Sequence, residues 1–298
     1  MNIYEQISSN RRKTWLIVLL FIAFISFVGY AFGEYYVGAG AGFPVTGFAL
    51  VFSSFSAFSS YYFSDKVALG IAGAKKIDKD DAPMVYGILE NLSIGSGLKT
   101  PPKLYLINDS APNAFATGRD PEHSSVAVTS GLLEKLNKRE IEGVLAHEMS
   151  HIRNYDIRLM TIVAVLVGSV TIIANIMYRS SFYRSRDRSS SGGIIILIGL
   201  VLALLSPLIA QVIKLAVSRS REFLADASAA LLTRDPEGLA MALEKISSDT
   251  EPLESASEAT AHMYISNPLK KGKNADSFAN LFNTHPPVGE RIRRLREM

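Results

Sequence analysis

The feature that most constrains this chain of 298 residues is a stretch without charge, which runs from Thr14 to Phe32. A helix of about 20 apolar residues spans the hydrocarbon core of a bilayer. The basic residues Arg11, Arg12 and Lys13 precede the stretch, as they do in an export signal. Because the stretch is longer than the apolar region of a cleaved signal, and no convincing cleavage site follows it, we expect an uncleaved membrane helix.

A second charge-free stretch extends from Tyr35 to Ser64, with serines interleaved between phenylalanines. We interpret it as a second span, so that residues 1–64 form a transmembrane hairpin. The connector of this hairpin holds Glu34 but neither Lys nor Arg, and positive charge resumes only at Lys66, Lys75 and Lys76. Loops rich in Lys and Arg stay in the cytoplasm, so both flanks of the hairpin are predicted to be cytoplasmic.

Two later stretches, Leu159 to Tyr178 and Ile194 to Ile213, are also as long as a membrane span. Their connector is rich in arginine, which opposes its translocation. The pair could cross the bilayer against that rule, lie at the interface or pack as an apolar helical pair; we favour a membrane-embedded hairpin. The chain then divides into the two hairpins 1–64 and 159–213 and the two polar segments 65–158 and 214–298.

The polar segments are predicted to contain helices and a few short strands, so the fold class is mainly α with a small β-sheet (α+β). Alternating apolar residues predict strands at Lys103–Asn108, Asn113–Gly118 and Ser125–Thr129. Helical spacing runs from Lys138 to Asn154, and a helix could begin either at Asn137 or within 129–131. The two polar segments can still form one domain.

Composition excludes several classes of protein. Hydrophobic residues make up 48% of the chain and charged residues 20%, which is too apolar for a disordered protein. Cysteine is absent, so a disulfide-stapled module and every thiolate zinc site are excluded, and a metal must be held by His, Asp or Glu. A net charge of +3 is too small to indicate a nucleic-acid partner.

The sequence His147-Glu148-Met149-Ser150-His151 is the most specific motif in the chain. Residues four apart lie on one face of a helix, so the two imidazoles can bind one metal ion. Glu148 lies near enough to reach a metal-bound water without binding the metal itself. The dense charge from Glu134 to Arg158 indicates that this helix lies outside the hydrocarbon.

A catalytic zinc site needs a third protein ligand and one open position. A third His is excluded, because Asn154 and Ile157 occupy the positions that its signature requires, and no Glu lies between Glu148 and Glu222. Asp156 is predicted to lie too close along the same helix to fold back onto the metal. Glu222 is therefore the first plausible ligand, with the apolar hairpin accounting for the gap, and Asp226 is predicted to orient a ligand histidine from behind.

These motifs resemble those of the HtpX family of bacterial inner-membrane zinc metalloproteases, which is related to the eukaryotic CAAX prenyl endopeptidases. The resemblance rests on HEMSH, on Ser220 to Ala227 and on Thr284 to Ile292, in that order. It implies a zincin-like catalytic domain with one Zn²⁺ per chain, held by His147, His151 and Glu222 with Glu148 as the catalytic residue. It further implies quality-control proteolysis under stress, in which damaged or misassembled membrane proteins are cleaved at the cytoplasmic face.

The sequence also predicts site residues beyond the metal ligands. His285, on a loop stiffened by two prolines, is the candidate catalytic donor to the oxyanion, and Arg291 is the weaker candidate; a turn residue and a solvated basic helix are the alternatives. Small and apolar residues alternate along a strand that could receive substrate at a sheet edge, at Asn113, Ala114, Phe115 and Ala116. The alternative function is a membrane zinc transporter or sensor, although the predicted spans hold no ionisable residue for an ion path.

Overall fold

A computed structural model describes residues 3–34, 38–168, 218–257, 260–266, 268 and 286–298. Its helices are α1 (Ile3–Phe32), α2 (Gly42–Ile71), α3 (Pro83–Ser96), α4 (Ser130–Lys135), α5 (Lys138–Arg153), α6 (described for 156–168), α7 (Arg219–Thr233), α8 (Pro236–Ser248) and α9 (Val288–Arg296). Its strands are β1 (Lys75–Lys76), β2 (Lys103–Ile107), β3 (Ala114–Asp120) and β4 (His123–Thr129). The prediction of a mainly helical protein with a small sheet is confirmed.

The two N-terminal helices pack against each other as a hairpin, and each contains a segment apolar and long enough to cross a membrane, Ile7–Ala31 and Gly42–Ile71. Large apolar side chains cover their outer surface, among them Trp15, Phe43 and Phe48, each more than half exposed. An apolar surface of this extent is unfavourable in water and suits lipid. Described residues of α6, including Leu159 and Val163, pack against the inner face of the hairpin.

The second helix begins and ends later than the sequence predicted. Two glycines in its connector, Gly38 and Gly40, adopt positive φ and reverse the chain, and the Glu34 carboxylate accepts the backbone N–H groups of Gly40 and Gly42 at 3.1 Å each. The helix then continues through the charged residues 65 and 66, because charge does not interrupt helical hydrogen bonding. Of the second apolar hairpin, residues 169–213 lie outside the described part of the chain.

The sheet has the strand order β1-β2-β4-β3, with β2 parallel to β4 and the other pairs antiparallel. The three predicted strands are confirmed, although β3 continues past Gly118 to Asp120. Gly118 has φ +143°, and a Cβ there would collide with the His123 carbonyl oxygen. Only glycine can occupy this position of the β3–β4 hairpin. In the strand order, β3 is an edge strand.

The central helix of the domain outside the N-terminal hairpin is α5, which contacts α3, α7, α8 and β3. Asn137 and Glu140 form a reciprocal capping box at its first turn, with hydrogen bonds of 3.0 and 2.8 Å. At the start of α4 the Thr129 hydroxyl accepts the N–H of Leu132, so both helix starts proposed from the sequence are observed. From Ile141 to Ile152 every residue of α5 except Glu142 is buried, which makes this helix a rigid base for its polar side chains.

Close packing of α5 against α8 yields a stability prediction. A Cβ at Gly143 would lie 2.7 and 2.8 Å from the backbone N and Cα of Leu239, so Gly143→Ala must push the helices apart. We expect a loss of about 1–3 kcal/mol, seen as a lower unfolding temperature of the purified protein. The matched control is Gly87→Ala in α3, where nothing lies within 4 Å. That variant should gain about 0.5–1 kcal/mol, and equal stability of the two variants would contradict the packing argument.

Candidate metal centre

Three side chains predicted to bind metal converge in the structure. His147 and His151 lie one turn apart on the buried face of α5, with their Nε2 atoms 3.1 Å apart. Glu222, in the first turn of α7, places its carboxylate oxygens 3.8 Å from Nε2 of His147 and 3.5 Å from Nε2 of His151. Two elements far apart in sequence thus present two nitrogens and a carboxylate to one point.

Buried carboxylates behind the two imidazoles determine which ring nitrogen carries the proton. Nδ1 of His147 lies 2.9 Å from Asp226, and Nδ1 of His151 lies 3.0 Å from Asp156. Because an ionised carboxylate can only accept, each Nδ1–H donates, which leaves Nε2 as the metal-binding atom of each neutral ring. The two Nε2 atoms and the Glu222 carboxylate face one another, so this point requires a positive charge, from a metal ion or, in its place, from a proton on His151.

The spacing of these donor atoms fits a tetrahedral divalent ion. Zinc–nitrogen bonds of about 2.0–2.1 Å imply about 3.3–3.4 Å between ligand atoms in a tetrahedron. The observed separations of 3.1, 3.5 and 3.8 Å surround that value. The donor set of two neutral imidazoles and one carboxylate also matches the chemistry of catalytic zinc sites.

Glu148 lies beside the ligands and is buried. Burial raises the pKa of its carboxyl group to about 7; the charge of Glu222 adds to the rise, while His151 and the Ala116 backbone N–H oppose it. A carboxyl group with a pKa near the operating pH is suited to accept and return a proton.

Arg291, from α9, lies behind His147 rather than on a solvated helix face. Its guanidinium is 1% exposed and binds Asp226 through two hydrogen bonds of 2.9 and 2.7 Å. A third hydrogen bond, of 3.0 Å, goes to the Ile265 carbonyl oxygen. Burial alone would raise the pKa of Asp226, but Arg291 and His147 hold it below its ordinary value. The structure thus gives Arg291 partners in the protein; its role as a donor to the oxyanion of a bound substrate stays a prediction.

The predicted substrate strand is at the sheet edge, but it is not exposed. Ala114, Phe115 and Ala116 are fully buried, and the Ala114 carbonyl oxygen accepts the N–H of Ile265 at 3.0 Å. The Asn113 side chain donates to the carbonyl oxygen of Ser266 at 3.1 Å. A segment distant in sequence therefore covers this end of the edge, which local alternation cannot reveal. His285 lies outside the described residues.

Asp156 was missed as a site residue by sequence reasoning, which placed it on the same helix as His151. In the structure α5 ends at Arg153, and Tyr155 adopts a left-handed conformation with φ 58°. This turn brings Asp156 back against Nδ1 of His151. A carboxylate five residues after the second histidine, just past the end of the helix, was the available signal.

Comparison with known proteins agrees with this geometry. A sequence model described as Peptidase family M48 matches residues 80–298. Proteins named Protease HtpX homolog from Dictyoglomus turgidum and Dictyoglomus thermophilum are 44% and 46% identical, each alignment covering 99% of this chain and 94% of the relative. The crystal structure of S. mikatae Ste24p is 23% identical with a TM-score of 0.51, covering 94% of this chain and 62% of that one, and supports the fold alone.

Metal affinity should rise with pH. Burial alone would lower the pKa of His151, but its hydrogen bond to Asp156 and the charge of Glu222 raise it to about 9 in the metal-free protein. Burial lowers the pKa of His147, so that ring is already neutral. A metal ion must displace the His151 proton, so affinity should increase about tenfold per pH unit between about pH 6 and 8 in competition with a chromophoric chelator.

Asp156→Asn is the control for this pH dependence. Without the carboxylate the pKa of His151 falls, so the slope of metal affinity against pH should flatten. An unchanged slope in Asp156→Asn would show that another group supplies the proton.

Proposed function

The chain belongs to peptidase family M48 as an HtpX-type membrane metalloprotease, and we propose that it uses one zinc ion to cleave unfolded or misassembled membrane proteins. The observation that carries this proposal is the convergence of His147, His151 and Glu222 on one point beside Glu148. Family membership does not favour the alternative of a transporter or sensor without hydrolytic activity.

We assign the ligand positions to His147, His151 and Glu222, which would leave the fourth position for water. Zinc bound there supplies Lewis acidity, which activates a water molecule and polarises the scissile carbonyl. Glu148, with its pKa near 7, accepts a proton from the attacking water and returns it to the leaving amine. Asp226 and Asp156 hold the imidazoles in the tautomer that presents Nε2.

The centre is proposed to lie at the cytoplasmic face of a bacterial inner membrane, in a multi-pass protein with both termini in the cytoplasm. Asn10 on α1 contacts Asp156 of the centre, and the cationic residues Arg11, Arg12 and Lys13 follow it directly. The centre therefore lies at the basic end of the first span, which the positive-inside rule assigns to the cytoplasm.

We propose that substrate binds as an added strand beside β3. The Ala114 carbonyl is occupied by Ile265, whereas the Ala116 N–H points to Glu148 and thus toward the centre. Residues 116–118 are buried, so a peptide pairs with them only after it displaces their cover, and this pairing would bring its scissile bond close to Glu148. Pairing through the backbone is independent of side-chain sequence, which suits an enzyme that acts on many unfolded segments.

Glu148→Gln should separate metal binding from catalysis. The amide cannot take a proton from water, so peptide cleavage should fall about 10²- to 10⁴-fold while zinc content stays at the wild-type value. Cleavage of an unfolded membrane-protein substrate and metal analysis of the same preparation measure the two quantities.

The matched control is Glu142→Gln, which removes a partly exposed carboxylate from the same helix. It should retain both zinc and activity. Full activity of Glu148→Gln would exclude Glu148 as the proton acceptor.

Backbone methylation of a peptide substrate tests the added strand without altering the enzyme. In an extended peptide successive N–H groups point to opposite sides, so only alternate ones can face β3. N-methylation at a residue facing β3 should raise KM about tenfold, while methylation at the next residue leaves KM nearly unchanged. Equal KM values for all the methylated peptides and the parent peptide would contradict strand addition.

A further inference from the structure

A polar side chain of the first membrane helix reaches the layer behind the proposed metal ligands. Asn10 on α1 is 2% exposed, and its Nδ2 donates to Oδ1 of Asp156 at 2.7 Å. The other carboxylate oxygen of Asp156 accepts Nδ1–H of His151 at 3.0 Å. Two hydrogen bonds in series therefore connect α1 to His151.

The same asparagine connects both elements that carry the ligands. Its Nδ2 also donates to the Asn154 carbonyl oxygen at 3.1 Å, just past the end of α5. Its Oδ1 accepts Nη1 of Arg221 at 3.0 Å, and Arg221 immediately precedes Glu222 on α7. One amide thus satisfies a carboxylate, a carbonyl and a guanidinium, all of them buried.

The turn that carries Asp156 has an unfavourable backbone conformation. Tyr155 is an aromatic residue with φ 58°, which persists only where neighbouring groups hold it. Asn10 binds the residues on both sides of Tyr155, and the Arg11 guanidinium lies 4.9 Å from the centre of the Tyr155 ring. Consecutive residues of α1 therefore clamp this turn.

We propose that Asn10 is a positioning residue of the metal centre, so that α1 orients His151 in addition to anchoring the protein. Asp156 is 1% exposed, and water cannot readily replace the Asn10 donor. Arg221 contacts the same carboxylate oxygen at a longer distance, 3.4 Å from its Nη1, so loss of the Asn10 donor loosens the carboxylate and weakens its hold on the imidazole. The inference rests on the proposed function in that it takes His151 to be a metal ligand.

Zinc affinity of the full-length protein in detergent micelles tests this role without any substrate. Asn10→Ala should weaken zinc binding about tenfold in competition with a chelator, the lower end of the range for partners of metal ligands. Thr14→Ala is the matched control, because Thr14 is buried one turn further along α1 and donates to the Asn10 carbonyl oxygen. It should change zinc affinity less than about twofold.

A merely structural asparagine would lower the unfolding temperature of the metal-free protein and leave zinc affinity unchanged, and that result would overturn the proposal. Asn10→Asp is nearly isosteric and provides a folded variant if Asn10→Ala does not fold. It replaces the donor that faces Asp156 with a carboxylate, so zinc should bind at least as weakly as in Asn10→Ala. Wild-type affinity in Asn10→Asp would overturn the proposal.

A double-mutant cycle identifies the route of the effect. If Asn10 acts through Asp156, then Asn10→Ala should weaken zinc binding less than about twofold further in an Asp156→Ala background. An undiminished tenfold loss in that background would overturn the proposal. If the wild type binds zinc tightly and the Asn10 variants bind it equally tightly, this inference alone is overturned. If the wild type binds no zinc, the proposed function is overturned as well.

Discussion

The close approach of the two ligand imidazoles, with Nε2 atoms 3.1 Å apart, is the constraint on which the rest of the centre depends. Around it lie the carboxylates of Glu222, Asp226 and Asp156 and the guanidinium groups of Arg291 and Arg221, all buried. Three negative and two positive charges leave one negative charge. In the metal-free protein, the proton on His151, whose pKa is raised, neutralises this negative charge. When a divalent ion displaces that proton, the negative charge of ionised Glu148 compensates the added positive charge.

This balance explains why remote elements converge on α5. A buried carboxylate is unfavourable unless it is paired, so Asp226 requires Arg291 from α9, and Asp156 requires Arg221 from α7 and the hydrogen bond of Asn10 from α1. Each pairing attaches another helix to the back of the metal centre. The polar groups that orient the histidines therefore also determine how the helices pack, and the catalytic geometry and the tertiary structure share the same contacts.

Much of this arrangement was predictable because its signals are local. Helical spacing located α5, the alternation of apolar residues located three strands, and the spacing of His147 and His151 identified the centre; the family resemblance is confirmed by the comparisons. Two features were not predictable. The position of Asp156 depends on a left-handed Tyr155, and the cover of the β3 edge comes from Ile265, which is distant in sequence. The spacing of Asp156 to His151 was a local signal, but the backbone conformation that uses this carboxylate and the cover of β3 both depend on tertiary contacts.

The first helix is held at each end of its apolar length. At one end Glu34 binds the N–H groups that begin α2, and at the other end Asn10 binds the turn after α5. A helix fixed in this way cannot slide along its axis when the thickness of the bilayer changes. Hydrophobic mismatch must instead be met by tilting of the hairpin or by deformation of the surrounding lipid. Because Asn10 of this helix binds Asp156, a tilt of the helix also moves Asp156, which orients His151. A change in lipid thickness therefore alters the geometry of the metal centre.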